Sequence, residues 1–220
     1  MLSFVPLHLH TEWSLLDGSI RIKDLVPRLL EYGYPGCAIT DHGTLFGLVH
    51  FYKALKDANL KPLLGCEFYV APGSRFDKNK KNANYFHLIL IAKNETGYKN
   101  LIKLGSKAYL EGFYYKPRID KELLKECSEG LITLSACLEG EIPKLLLLGE
   151  KDKAKEVALF YKQLFGEDFY LEVQFNDLPE QKRVNELILE LAEDLGIKVV
   201  GTTDSHYLDR GSYMAHEVLL

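Results

Sequence analysis

No apolar run in this chain approaches the roughly 20 residues that a membrane-spanning helix requires, so no such helix is expected. Met1 does not lead into the basic stretch and short apolar segment of a secretory leader, and the cytoplasm is the expected compartment. The four cysteines, Cys37, Cys66, Cys127 and Cys137, include no CxxC pair and follow no framework spacing, which argues against a disulfide scaffold. There is no basic excess: the net charge is −4 at pH 7, against the strongly positive balance of a free-standing nucleic-acid binder. Any contact with DNA is therefore local, metal-mediated or shared with another domain. A glycine-rich phosphate loop and a Ser-His-Asp arrangement are also missing, which removes two common ways of handling phosphate and acyl groups.

What is present is ordinary globular material, 220 residues that are 47% hydrophobic and 26% charged, enough for one domain (1–220) with a sizeable core. Seven short apolar segments read as strands: 3–10, 36–41, 61–71, 85–92, 130–137, 168–175 and 197–204. Between most of them lie helical patterns over Ile22 to Tyr32, Thr44 to Asn59, Glu95 to Leu110, Lys121 to Cys127, Lys151 to Phe165 and Glu180 to Leu195. The third and fourth strands are joined instead by a polar loop, PGSRFDKNKKNAN. Alternation of this kind predicts parallel strands with crossover helices.

Polar residues interrupt these strands in a consistent place. His8 and His10 sit two apart on the first, so they share a face. Asp204 and His206 do the same at the end of the seventh. Asp41 and His42 end the second, Glu67 and His87 stand isolated in apolar runs, and Cys137 tips the fifth. Ligands from the first, second, fifth and seventh strands meet readily at one mouth of a barrel, where an open sheet would spread them, so a barrel is expected. Singly, each residue has an ordinary reading: a hydrogen-bonded core histidine, a carboxylate paired with a buried base, a small buried thiol. Jointly, burying Glu67, Asp204 and a Cys137 thiolate in one place is very costly unless cations are present. Imidazole, carboxylate and thiolate together suit zinc; manganese and iron accept the first two.

The order HxH, TDH, GxE, H, C, DxH resembles the PHP (polymerase and histidinol phosphatase) family. Longer stretches, including HTEWSLLDGSI, ITDHGTLFGLVHFYKALK, NLIKLGSKAYLEGFYYKPRID and TDSHYLDRGSYMAHEVLL, are similar to the PHP domains that bacterial replicative DNA polymerases carry at their N-termini. The resemblance implies a distorted seven-stranded (β/α)7 barrel with up to three divalent metals at its C-terminal mouth. It assigns the ligands to His8, His10, Asp17, His42, Glu67, His87, Cys137, Asp204 and His206. One ion would lie among His8, His10, Glu67 and Asp204, a second between Glu67, His87 and Cys137, and a third among Asp17, His42 and His206. The family often has histidine where Cys137 stands; the thiolate favours zinc, with manganese or iron as alternatives. Asp41, beside a ligand, is expected to orient a water or an imidazole.

For substrate, Arg75 in the basic loop (with Lys78, Lys80 and Lys81) and Tyr114, Tyr115, Lys116 and Arg118 in GFYYKPRID offer phosphate contacts and base stacking, or simply surface and packing. His50 and His216 fall outside the ligand pattern and are assigned to structure. Closely spaced metals can hydrolyse a phosphate ester. The resemblance thus implies a 3′–5′ exonuclease acting on a DNA primer end beside the remaining polymerase domains of the same chain. The alternatives are a metal-stapled interaction module that docks a proofreading subunit, and a free-standing histidinol-phosphatase-like enzyme. The final HEVLL reads as the opening of a helix, so the chain is expected to be an N-terminal fragment of a longer polymerase that does not itself polymerise.

Overall fold

The computed structural model describes residues 4–79 and 84–219. Along the chain they form α1 (Ile22–Glu31), β1 (Gly36–Ile39), α2 (Leu48–Asp57), β2 (Lys61–Val70), β3 (Phe86–Ala92), α3 (Glu95–Leu110), β4 (Arg118–Ile119), α4 (Lys121–Glu126), β5 (Leu131–Leu134), α5 (Glu141–Leu147), α6 (Lys151–Phe165), β6 (Phe169–Gln174), α7 (Pro179–Leu195), β7 (Lys198–Thr202) and α8 (Tyr213–Leu219). Local chemistry accounts for several boundaries. Asn94 caps α3 by accepting from Gly97 N–H, and Asp120 caps α4 through Leu123 N–H. Pro179 opens α7, where its missing N–H costs nothing, and Gly196 ends it in the left-handed conformation. The helix α5 has no counterpart in the sequence reading; Pro143 lies in its first turn, where proline is tolerated.

The sheet runs β1-β2-β3-β5-β6-β7, with β4 paired to β2 off this path. It curls into a distorted, partly open barrel. Residues 6–10 lie along the opening. On one side Ala38 N–H donates to Pro6 O at 2.7 Å and Thr40 N–H to Leu9 O at 2.9 Å; on the other His10 N–H donates to Ser205 O at 2.8 Å and Ser205 N–H to His8 O at 3.1 Å. Two expectations need correction. The expected strand 3–10 (Ser3 lies outside the described residues) makes only an isolated bridge, Leu9 to Ser205, because Pro6 lacks a donor and the chain turns away after Thr11. The seven strands are completed instead by the two-residue β4. Nor are all strands parallel: β3 runs antiparallel to both β2 and β5. Residues 71–79 form bends and turns rather than a crossover helix, so the chain folds back along β2 as a wide hairpin.

That reversal matters for the site. An antiparallel β3 brings its first turn, and with it His87, to the end of the barrel where the parallel strands finish. Alternation along β2 and β3 sorts the side chains. Cys66, Phe68, Val70, Leu88 and Leu90 pack outward with α3, α6 and α7 in the main core. Ile89 and Ile91 face the lumen with Ala38, Leu134 and Ala136 and fill its lower part. Above this apolar plug the inward positions belong to Glu67 and His87.

Candidate metal centre

The nine expected ligands reach the mouth from seven supports. His8 and His10 project from the seam segment, Asp17 from the turn after it, and His42 from the turn after β1, where Gly43 takes a φ of +60° beneath the Tyr69 ring and leaves no room for a Cβ. Glu67 comes from β2, His87 from β3, Cys137 from the turn after β5, and Asp204 and His206 from the segment after β7. Of five non-glycine residues with left-handed backbone among the described residues, three touch this list: Leu16 precedes Asp17, Ala136 precedes Cys137, and Asp204 is itself one. Strain of this sort marks places where geometry is held for a purpose.

The side chains form three linked groups. In the first, His8 Nε2 and His10 Nε2 are 3.1 Å apart and lie 3.1 and 3.3 Å from Asp204 Oδ1, with Glu67 oxygens at 3.4 and 3.3 Å. In the second, His87 Nδ1 is 3.1 Å from Glu67 Oε1, and Cys137 Sγ lies 3.6 Å from His87 Nδ1 and 3.8 Å from Glu67 Oε1. In the third, Asp17 Oδ2 sits 3.3 Å from both His42 Nε2 and His206 Nε2. His10 also falls within the third group, and His42, whose Nδ1 is 2.9 Å from Glu67 Oε2, within the second. All nine expected residues thus form one linked cluster, joined through Glu67, His10 and His42.

Whether divalent ions fit is tested by the polar atoms left over. Among the described residues eight buried side-chain polar atoms lack an aligned hydrogen bond, and four of them, Asp17 Oδ2, His42 Nδ1, Glu67 Oε2 and Asp204 Oδ1, lie in this cluster. Buried polar atoms are nearly always satisfied, and here four orphans converge on one point with imidazoles and a thiol between them. Divalent cations would supply the missing partner, and imidazole and carboxylate donors of this kind fit them.

Electrostatics agrees. Burial opposes charge on His8, yet Asp204, Glu172 and Glu67 outweigh it and hold its pKa well above the usual value. For His10 burial is likewise overcome, by the adjacent Asp204 and Glu67 carboxylates, and the pKa rises to about 9. Burial would raise Glu67, but His8, His87 and His42 pull it well below the carboxylate range. His42 is lowered by burial, and the Cys137 thiol is pushed well up by burial and by Glu67 and Asp204. Without ions, then, the carboxylates are balanced by protons on His8 and His10.

Outer contacts fix the imidazoles. His8 Nδ1 donates to Glu172 Oε1 at 2.7 Å, leaving Nε2 aimed at the mouth. Glu172 is in turn bound by Gln174 Nε2 at 3.0 Å and by Thr202 Oγ1. The sequence reading missed it, although Glu172 interrupts an apolar strand just as Glu67 does. Asp41 does not touch an imidazole. It accepts from Thr11 N–H (2.6 Å), Thr11 Oγ1 and Ser14 Oγ (3.2 Å); Ser14 Oγ accepts from His10 Nδ1 (3.1 Å) and His42 N–H (3.0 Å). It therefore positions two ligands through Ser14. His206 Nδ1 is held by the Asp204 carbonyl at 3.0 Å.

The residues expected to grip substrate divide. Lys116 lines the cavity over Asp17, His42 and His87. Arg75 and Arg118 do not: both are buried. Arg75 pairs with Asp120 at 2.9 Å and Glu111 at 2.7 Å, and Arg118 donates to the Gly112 and Asp77 carbonyls, so the two guanidinium groups tie down the loop after β2. Tyr114 and Tyr115 pack edge to face with each other, away from that cavity. Lys78 is exposed, and Lys80 and Lys81 lie outside the described residues. His50 stacks on Trp13, and His216 packs beside His206 and Tyr207.

The PHP domain model matches residues 6–176. The chain belongs to the PHP domain family. Curated proteins similar to this PHP domain include DNA polymerase III alpha subunits from Treponema pallidum (50% identical over 222 residues), Aquifex aeolicus (49% over 224) and Thermus aquaticus (47% over 224). Each alignment covers 99–100% of the chain but only 18–19% of the relative, so the chain spans about a fifth of their length. Among solved structures, a candidate metal-dependent phosphoesterase from Bifidobacterium adolescentis superposes with a TM-score of 0.57 at 16% identity, covering 100% of this chain and 97% of its own. An amidohydrolase from Chromobacterium violaceum with bound sulfate and no metal gives 0.59 at 13%, covering 98% and 96%. At those identities the likeness shows the fold alone. Among the described residues no helix is long and apolar enough to cross a membrane.

Proposed function

We propose that this PHP domain belongs to a DNA polymerase III alpha subunit and is a metal-dependent phosphoesterase that removes nucleotides from a primer 3′ end. The observation that carries this reading is the convergence of four unsatisfied buried atoms, from Asp17, His42, Glu67 and Asp204, among imidazoles at one mouth. The first ion is assigned to His8, His10, Glu67 and Asp204, the second to Glu67, His87 and Cys137, and the third to Asp17, His42 and His206, with zinc preferred on account of the thiolate. Bound there, such ions neutralise a phosphate ester and lower the pKa of water. The chain's own residues do the rest. Glu172 and the Asp41–Ser14 pair hold His8 and His10 in one tautomer, with Nε2 toward the mouth. The apolar plug of Ile89, Ile91 and Leu134 closes the lumen below, so substrate enters only from the mouth. Lys116 stands at the rim to meet a phosphate.

The test is release of nucleotides from a 3′-mismatched primer by zinc- or manganese-loaded protein. Activity lost in His10→Ala and Asp204→Ala is the expected result; no release by the wild type, or equal release by the variants, rejects it. Comparable turnover of histidinol phosphate would favour the small-molecule reading instead.

One observation favours a second, compatible role. The seam between residues 6–10 and 204–206 carries four expected ligands but few backbone hydrogen bonds. Ions there join chain segments that the sheet does not, and so support the docking of the remaining polymerase domains or a proofreading subunit.

A further inference from the structure

The aromatic residues that the GFYYKPRID stretch offered for base stacking are turned away from the ligands, but other rings occupy the mouth. Above Asp17, His42 and His87 lies a cavity of about 430 Å³, within the range of about 300–1,000 Å³ typical of ligand pockets. Trp13, Phe46, Tyr109 and Lys116 line it. Phe46 is 64% exposed and Tyr109 43%, high values for rings of this size. Their planes are within 27° of parallel with centroids 6.4 Å apart, and Phe113 continues the row at 6.2 Å from Tyr109. Phe46 lies in the loop between β1 and α2, four residues after His42, and Tyr109 sits in the last turn of α3. Leu15 and Leu16, 77% and 79% exposed, complete an apolar rim in the turn that carries Asp17.

We infer that Phe46 and Tyr109 form a shelf on which the unpaired terminal base of a single DNA strand stacks while its phosphate faces the ligand cluster and Lys116. This rests on the phosphodiester reading above and names its substrate. Flat apolar faces next to a phosphate-seeking site fit a nucleotide; a sugar phosphate or an aliphatic phosphomonoester would leave the rings uncovered. A base still paired in a duplex has no free face to offer, so the terminus must be unpaired. Lys116 is the one cationic side chain lining the cavity among the described residues, and the domain is acidic overall. Grip is therefore confined to about one nucleotide, unlike the basic groove that tracks a long strand.

Binding of products isolates the base from the phosphate without any turnover. Zinc-loaded protein is titrated with thymidine 5′-monophosphate and, separately, with 2-deoxyribose 5-phosphate by calorimetry, while the single tryptophan, Trp13, reports position by fluorescence. The nucleotide is expected to bind at least about five-fold more tightly and to quench Trp13. Phe46→Ala and Tyr109→Ala should each weaken the nucleotide by about five-fold or more and leave the sugar phosphate unchanged. Tyr109→Phe keeps the ring and should match the wild type. Both positions are exposed, and an unchanged unfolding midpoint verifies the variants. Equal binding of the two ligands, an unaltered ratio in both alanine variants, or nucleotide binding without quenching overturns the proposal. Because these are binding measurements, the outcome is independent of whether the domain hydrolyses DNA. If it does, the same variants should raise KM for oligonucleotides ending in a normal nucleotide and not for those ending in an abasic residue.

Discussion

The two sides of the mouth are built differently. On the ladder side, Glu67 and His87 stand on β2 and β3, whose six-residue register holds them whether or not anything is bound. On the seam side, His8, His10, Asp204 and His206 lie on segments that share one isolated bridge and a handful of backbone hydrogen bonds. Ladder ligands are positioned by backbone pairing, whereas the seam ligands depend on their outer contacts, such as Glu172 and Ser14, and on whatever neutralises the carboxylates. A barrel assembled this way sets a sparsely bonded joint beside the candidate metal centre, so ions held there would also tie the seam.

Four predictions press on this difference. The largest effect is on chemistry: Glu67→Gln from the ladder and Asp204→Ala from the seam should each lower primer hydrolysis by at least about 100-fold. Asp204→Ala, which removes a carboxylate carried by the seam itself, should expose the seam more than Glu67→Gln does. Steady-state rates with hydrogen exchange at the His10 and Ser205 amides separate the two; equal exposure in both variants would erase the distinction. Next, chelation should lower stability by about 2.7 kcal/mol per ion held at a free concentration 100 times its Kd. Exchange should quicken at His10 and Ser205 while Leu88 and Leu90, in the β2–β3 ladder, keep their protection. Third, Glu172→Ala removes the acceptor that orients His8 and should weaken ion retention about 10–100-fold, measured by competition with a chelator. An unaltered affinity would reduce Glu172 to packing.

The smallest effect is on pH. His10 is raised from 6.5 to about 9, and His8 is raised with it. In the ion-free protein the stability these protons contribute is complete below about pH 6.5 and disappears as pH climbs through about 9. Ions need the same nitrogens bare and Cys137 as thiolate, so their affinity rises across that interval. The melting temperature of chelated protein should fall from pH 6.5 to 9 while that of loaded protein holds or rises. Parallel curves would contradict the balance drawn here.

The gathering of donor side chains was legible because groups such as Glu67 and His87 are expensive inside apolar strands, and nine donors at recurring positions have few explanations. The same signal marks Glu172 in DFYLEVQF, but one carboxylate without a neighbouring histidine in sequence looks like an ordinary buried pair. Strand direction was not legible: FHLILIA alternates identically whichever way it runs, and only the turns of residues 71–79 reverse it. Arg75 and Arg118 were misleading because charge in a loop says nothing of burial, and both meet partners distant in sequence. Phe46 and Tyr109 escaped notice for the opposite reason, that aromatic residues at helical spacing are usually core.

Anomalous diffraction from crystals of the metal-loaded protein, recorded on both sides of the zinc edge, tests the central claim most directly. The account predicts peaks bounded by the His8–His10–Asp204, Glu67–His87–Cys137 and Asp17–His42–His206 groups, with Glu67 shared between the first two. An anomalous map with no peak within coordination distance of Glu67 would contradict it.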